Sequence, residues 1–209
     1  MIRIKSVVLA VCLACSMAAY AGQASHVSAL QKQWANATYV LEGDAQEKAF
    51  VTLLQQADKA VLEMPGLADV LVWRGIIKSS FAGIKGGLSA LSLIKEAKAD
   101  LEQSMLIDEL ALSGSAYTSL GTLYFKAPGW PLSFGDDEKA KNLLEKALAI
   151  NPHGIDSNYF YAQFLDDNNQ PLLAKRFYLQ AQQAPKRPGR LMADKGRQAE
   201  IMVALKKLN

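Results

Sequence analysis

The chain has 209 residues, half of them hydrophobic and 21% charged, with 23 Lys and Arg against 20 Asp and Glu. A net charge of +3 is too small a basic excess to suggest a nucleic-acid partner. The only cysteines, Cys12 and Cys15, lie near the N-terminus, so the remainder offers no disulfide, thiol nucleophile or thiolate metal ligand.

The opening MIRIKSVVLAVCLACSMAAYAGQ reads as an export leader. Arg3 and Lys5 make a basic start, an apolar run from Val7 to Ala19 is broken only by Ser16, and Ala19-Tyr20-Ala21 supplies the small residues of a cleavage site. The run falls short of the ~20 apolar residues of a membrane span. Residues 1–21 are therefore expected to be a signal peptide. Alternatives are an uncleaved anchor, or a lipoprotein carrying its lipid on Cys15, although Cys12 sits where a lipobox prefers Leu. Cleavage leaves 22–209, 188 residues of net charge +1, as a single domain in the periplasm.

The first helix is expected over 24–41, from the spacing of Val27, Leu30, Trp34, Ala37 and Leu41. Gly43 ends it. Asp44 and Glu47 form a capping pattern for a second helix, with Phe50, Leu53, Leu54, Ala57 and Val61 as its apolar stripe, up to Pro65-Gly66. The third carries Leu67, Val70, Leu71, Ile77 and Phe81 over a wide arc, which implies burial on more than one side. Gly83-Ile84-Lys85-Gly86-Gly87 reads as a helix break. It is not a phosphate loop, because Leu88 stands where the Lys-Ser/Thr pair belongs. A long fourth helix follows through Leu91, Ile94, Ala97, Leu101 and Met105.

Ser113-Gly114-Ser115 opens a fifth helix, and a sixth follows Gly135 and ends at Asn151-Pro152. A seventh holds Tyr161, Phe164 and Leu165, and an eighth Ala174, Phe177, Tyr178 and Ala181. After Pro185 and Pro188-Gly189 comes a last helix with Ile201, Ala204, Leu205 and Leu208. No long stretch alternates with period two, so the chain is expected to be all-α.

Ala140 and Ala174 are 34 residues apart, the tetratricopeptide period. Ala140, Leu144, Ala147 and Pro152 match Ala174, Tyr178, Ala181 and Pro185, and Leu120-Gly121-x-x-Tyr124 matches Tyr161-Ala162-x-x-Leu165. Gly75 with Ala97, Leu101 and Ser104 forms an earlier unit, and Trp34 to Ala57 a weaker one. Four helix pairs and a terminal capping helix are expected, stacked as a right-handed superhelix. Two units carry insertions, one around Gly83–Gly87 and one at the loop Pro128-Gly129-Trp130-Pro131-Leu132-Ser133-Phe134-Gly135.

The Gly-Trp-Pro loop with Phe-Gly-Asp, and the Asn158-Tyr159-Phe160-Tyr161 segment, carry a resemblance over about 66–204. They resemble exported bacterial tetratricopeptide proteins related to the T component of TRAP transporters. The resemblance implies a periplasmic helical-repeat protein that associates with a solute-binding partner, oligomerises, and takes an apolar ligand in a cavity.

In such hairpins the first helix lines the concave groove. Counting from Ala162 puts Tyr159, Gln163 and Asp166 on that side. In the preceding unit Ser115, Thr118, Thr122 and Phe125 fall there. Trp130 and Phe134, held in a loop rich in Pro and Gly, suit partner recognition, or else cover the end of the stack. Trp73-Arg74 places an arginine on a buried helix, where it needs an internal ion pair or a ligand. Asp136-Asp137-Glu138 reads as helix capping rather than as an acid/base pair. Tyr161 reads as core, and Lys186, Arg187 and Arg190 as a solvated linker or a contact for an acidic partner. His26 and His153 are the only histidines and carry no triad or zinc pattern.

The expected function is non-enzymatic, with no cofactor: binding of a partner protein, an apolar small ligand, or both. The alternative is an envelope-assembly scaffold without a small ligand.

Overall fold

The computed structural model describes residues 26–208. Among these residues there are nine α-helices and no strand. α1 covers 26–39; it is followed by α2 (Gly43–Glu63), α3 (Ala68–Lys85), α4 (Gly87–Ile107) and α5 (Ala111–Lys126). Then come α6 (Asp137–Ile150), α7 (Ile155–Asp167), α8 (Pro171–Gln182) and α9 (Leu191–Lys207). The leader and both cysteines lie outside the described residues.

The repeat is visible atom by atom. In α3, a Cβ on Gly75 would stand 2.8 Å from Leu101 Cγ and 3.3 Å from the Ala97 carbonyl oxygen of α4. In α5, a Cβ on Gly121 would stand 2.8 Å from Leu144 Cγ and 3.2 Å from the Ala140 carbonyl oxygen of α6. The two hairpins therefore cross in the same way at the same point, close enough that only glycine fits. Leu101 and Leu144 fill the crossing and are fully buried, each contributing roughly 1.5–3 kcal/mol by transfer from water. The third hairpin, α7 with α8, uses the buried Ala162 against Ala174 and Tyr178. This is an all-α, tetratricopeptide-like stack of helical hairpins.

α3 is buried on two sides, as its wide apolar arc implies. Val70, Trp73 and Ile77 pack with α1 and α2, while Val72 joins the core of the later hairpins. The expected break at Gly83–Gly87 is tighter than a loop. α3 runs through Gly83 to Lys85, and Gly86 and Gly87, with φ of 65° and 58°, turn directly into α4.

Several local expectations need correction. Asp44 and Glu47 do not form a capping box: Glu42 is the N-cap without a side-chain bond, and Glu47 pairs with Lys85. Gln46 reaches back instead and donates to the Ala37 carbonyl. Tyr161 is not core; it is half-buried, edge-on to Phe177, with its hydroxyl donating to Glu145. The opening of α5 is irregular: Leu112, Ser113 and Gly114 adopt left-handed φ of 49°, 57° and 73° before the helix straightens at Ser115. Asp136 caps α6 as expected, accepting from the Lys139 amide at 3.0 Å.

The last helix is more than a cap on the end of the stack. α9 packs on α8 and α7, and its N-terminal half returns to α1. Ala193 is buried in the same cluster as Val27 and Trp34, and a Cβ on Gly196 would stand 2.4 Å from the Tyr39 ring. The first and last helices touch, and the inner face of the stack is covered.

Candidate functional site

The inner faces of α3, α5 and α7, together with α1 and the segment 185–197, line two adjoining, half-open cavities of about 250 and 330 Å³. Trp73, Ser115, Thr118, Asp156, Arg187 and Arg190 line both. The first also takes Trp34, Ile76, Leu123 and Phe160, which give it an apolar wall. The second is more polar, with Gln31, Ser113, Asn151 and His153. The left-handed turn at Leu112–Gly114 forms part of its wall.

Of the α5 residues expected on the inner face, Ser115, Thr118 and Thr122 line the first cavity, joined by Ser119. Ser115 and Thr122 donate back to the carbonyls of Leu112 and Thr118. The Thr118 and Ser119 side chains make no hydrogen bond among the described residues. Phe125 lies further along, edge-on to Phe164 and beneath Lys126.

For α7 the counting needs correction. Tyr159, Gln163 and Asp166 do not line either cavity. Gln163 donates to the Tyr159 hydroxyl at 2.7 Å, and Tyr159 packs against Phe160 and Tyr178. The reason is α9: the Arg197 guanidinium lies 4.3 Å from the Tyr159 ring centroid and 4.6 Å from that of Phe160, covering that part of the helix. Asp156 and Phe160 face the cavity instead.

In Lys186–Arg190, expected to be a solvated linker, Lys186, Pro188 and Gly189 are exposed, but Arg187 and Arg190 turn inward. Arg187 donates to Asp156 at 2.6 Å and to Asp194 at 2.7 Å. Arg197 donates to Asp156 at 2.9 Å and also pairs with Glu200. Asp156 thus receives two guanidiniums, in the first turn of α7, where the helix dipole also favours a negative charge. Its side chain keeps 32% exposure, directed into the cavities it lines. Burial alone would raise its pKa, but Arg197 and Arg187 outweigh that and hold the carboxyl well below the usual range.

Arg190 differs from its neighbours. Its guanidinium lies 4.9 Å from the Trp73 ring centroid, and its side chain makes no hydrogen bond or ion pair among the described residues. Burial, and then repulsion from Arg187, pull its pKa down to about 10. Its Nε is buried without a partner, and so is Trp73 Nε1.

Arg74 stays outside this site. It grips Asp100 through Nε, at 2.9 Å, and Nη2, and also reaches Asp58; Lys78 completes the cluster on Asp100 at 2.9 Å. The internal ion pair, not ligand anchoring, is what the structure provides for this arginine.

The Gly-Trp-Pro loop divides its two aromatics. Phe134 folds back, edge-on to Tyr124 at 5.3 Å, with Lys98 over its ring. Trp130 stands out at 89% exposure, next to the exposed Leu132, in a loop whose Trp130–Pro131 peptide bond is cis. Backbone bonds from the Gly135 amide to Pro128 and from the Asp136 amide to Tyr124, both 2.9 Å, close the base of the loop. Only glycine fits at 135, where a Cβ would stand 2.2 Å from the Ala127 carbonyl oxygen.

Among the described residues no cluster of His, Cys, Asp or Glu is arranged to hold a metal ion, and no helix is long and apolar enough to cross a membrane.

No family model and no curated protein matches the chain. Among solved structures it is similar to the crystal structure of MamA, with 19% identity and a TM-score of 0.45 over 81% of this chain and 94% of that chain.

Proposed function

We propose that this chain is an exported, non-enzymatic helical-repeat protein that holds a small ligand inside the stack and meets a partner protein through the Trp130 loop. The observation that carries the reading is the contact of α9 with α1 across the inner face, which leaves a half-open cavity with an apolar wall. Ligand pockets of this kind, mainly apolar with a few polar groups, usually run to about 300–1,000 Å³, so these cavities suit a small molecule. The exposed Trp130-Pro131-Leu132 tip, on a loop whose base is closed by backbone hydrogen bonds, supports partner contact, because aromatic side chains are favoured at protein interfaces. The leader pattern at 1–21 supports a periplasmic location, and the resemblance over 66–204 supports a transporter solute-binding protein as the partner.

The test is native mass spectrometry of the exported protein, purified without detergent, beside Ser119→Trp, which fills the first cavity. A discrete small-molecule adduct on the wild type, lost from a folded Ser119→Trp variant, is expected. Protein that is bare in every preparation favours an envelope-assembly scaffold without a ligand.

A further inference from the structure

Three arginines enter the cavity lining, and only Asp156 opposes them there, which leaves the lining with a net charge of +2. Asp194 and Glu200 stand behind the wall and bring the whole cluster to neutrality. The balance is uneven in space. Arg187 and Arg197 each hold two carboxylates, whereas Arg190 holds none. Beside Arg190 is Trp73, only 3% exposed, whose indole N–H is also unpaired. Both groups are donors only, and a buried donor without an acceptor is unfavourable. Arg190 Nε and Trp73 Nε1 are sealed by the packing, but the outer end of the Arg190 guanidinium is not, and it lines both cavities without an acceptor from the chain. The unbonded hydroxyls of Thr118 and Ser119 line the same space.

We propose that this point binds the carboxylate of a small monocarboxylic acid, with the Arg190 guanidinium as the charged donor, the Thr118 and Ser119 hydroxyls beside it, and the Trp34, Ile76, Leu123 and Phe160 wall taking the apolar body. The proposal rests on the ligand-binding reading above and names the ligand's class. A single uncompensated guanidinium matches a single negative charge. A phosphate dianion fits less well, since Asp156 faces the same space and there are too few free donors for its extra oxygens. The two-oxygen carboxylate suits a planar guanidinium.

The experiment is isothermal titration of the exported protein with phenylacetate and hexanoate, with phenylacetamide and hexanamide as uncharged matches, and with inorganic phosphate. Wild type, Arg190→Gln and Arg190→Lys are compared, and urea unfolding reports that each is folded. The acids are expected to bind more tightly than their amides. Arg190→Gln should weaken the acids by about tenfold to a hundredfold and leave the amides unchanged. Arg190→Lys should fall between, since it keeps the charge but not the planar fork. Equal binding of acid and amide, insensitive to Arg190, overturns the carboxylate site and leaves an apolar cavity. Phosphate binding more tightly than either acid also overturns it. No binding of any probe means that the orphan donors serve an ordered water only; the adduct experiment then decides separately whether the cavity holds any ligand.

Discussion

Replacing Asp156 with Asn removes the charge on which the closing segment converges while keeping nearly the same shape. The carboxylate accepts from Arg187 at 2.6 Å and from Arg197 at 2.9 Å. Each charge-assisted bond is worth about 1.5–3 kcal/mol, and an amide oxygen recovers about 1 kcal/mol as a neutral acceptor. Partial solvation through the cavity pulls the sum toward its lower end, and leaving the buried Arg197 short of a partner pulls it up, so the loss comes to about 3 kcal/mol. For a domain of this length that is roughly 6–12 °C in Tm. The pH dependence follows from the same charge. Because the folded-state pKa is depressed, the stabilisation is fully present above the unfolded carboxyl value of ~3.9 and is lost as pH falls through the folded value. Wild type should therefore lose stability steeply below about pH 4, and Asp156→Asn should lose less there. Urea unfolding followed by tryptophan fluorescence, from pH 2 to 7, measures both. A loss under about 1 kcal/mol at pH 7, with the acid limb unchanged, would refute the assignment of Asp156 as the hub.

Gly121→Ala should destabilise the protein by about 1 kcal/mol in urea unfolding: overpacking against Leu144 and the Ala140 carbonyl costs ~1–3 kcal/mol, offset in part by the better helix propensity of Ala. Equal or greater stability would mean that the hairpin crossing is looser than the structure has it. Trp130→Ala should leave stability within about 0.5 kcal/mol while weakening partner capture, whereas Phe134→Ala should cost about 1–3 kcal/mol through lost packing on Tyr124. Thermal unfolding of the two variants side by side checks the contrast. Arg74→Met should cost about 3–5 kcal/mol, since Asp100 is buried and keeps only Lys78; denaturation that matches wild type would show Asp100 to be solvated.

The repeat was legible because it rests on size. Gly75, Gly121 and Ala162 are small where helices cross, and Leu101, Leu144 and Tyr178 are large opposite them, so a linear pattern reports the packing directly. The inner face of α5 was legible for the same reason. The inner face of α7 was not, because α9 covers Tyr159, and no local pattern reveals where a distant helix lands. The segment 185–190 misled for a related reason: its two prolines and Gly189 describe the backbone, while Arg187 acts through partners on α7 and α9 and Arg190 lies against Trp73 of α3. One usable signal existed. Asp156 stands six residues before Ala162, as Ser115 stands six before Gly121, so the repeat itself places a carboxylate on the inner face. Capping at Asp44 failed because the helix begins two residues earlier than the side-chain pattern implies, at Gly43 with Glu42 as its N-cap.

Closure of the inner face by α9 against α1 is the claim on which the cavity and both proposals rest. It is tested by pairing Tyr39→Cys with Gly196→Cys in protein freed of Cys12 and Cys15. Tyr39 Cγ lies 2.4 Å from the Cβ position of Gly196. Adding a carbon–carbon bond of about 1.5 Å, the two Cβ positions are at most about 3.9 Å apart, inside the upper limit of about 4.5 Å for a disulfide. Near-complete crosslinking under mild oxidation, read by intact mass and thiol titration, is the predicted result. Two free thiols in a folded variant would contradict the closure and leave an open groove.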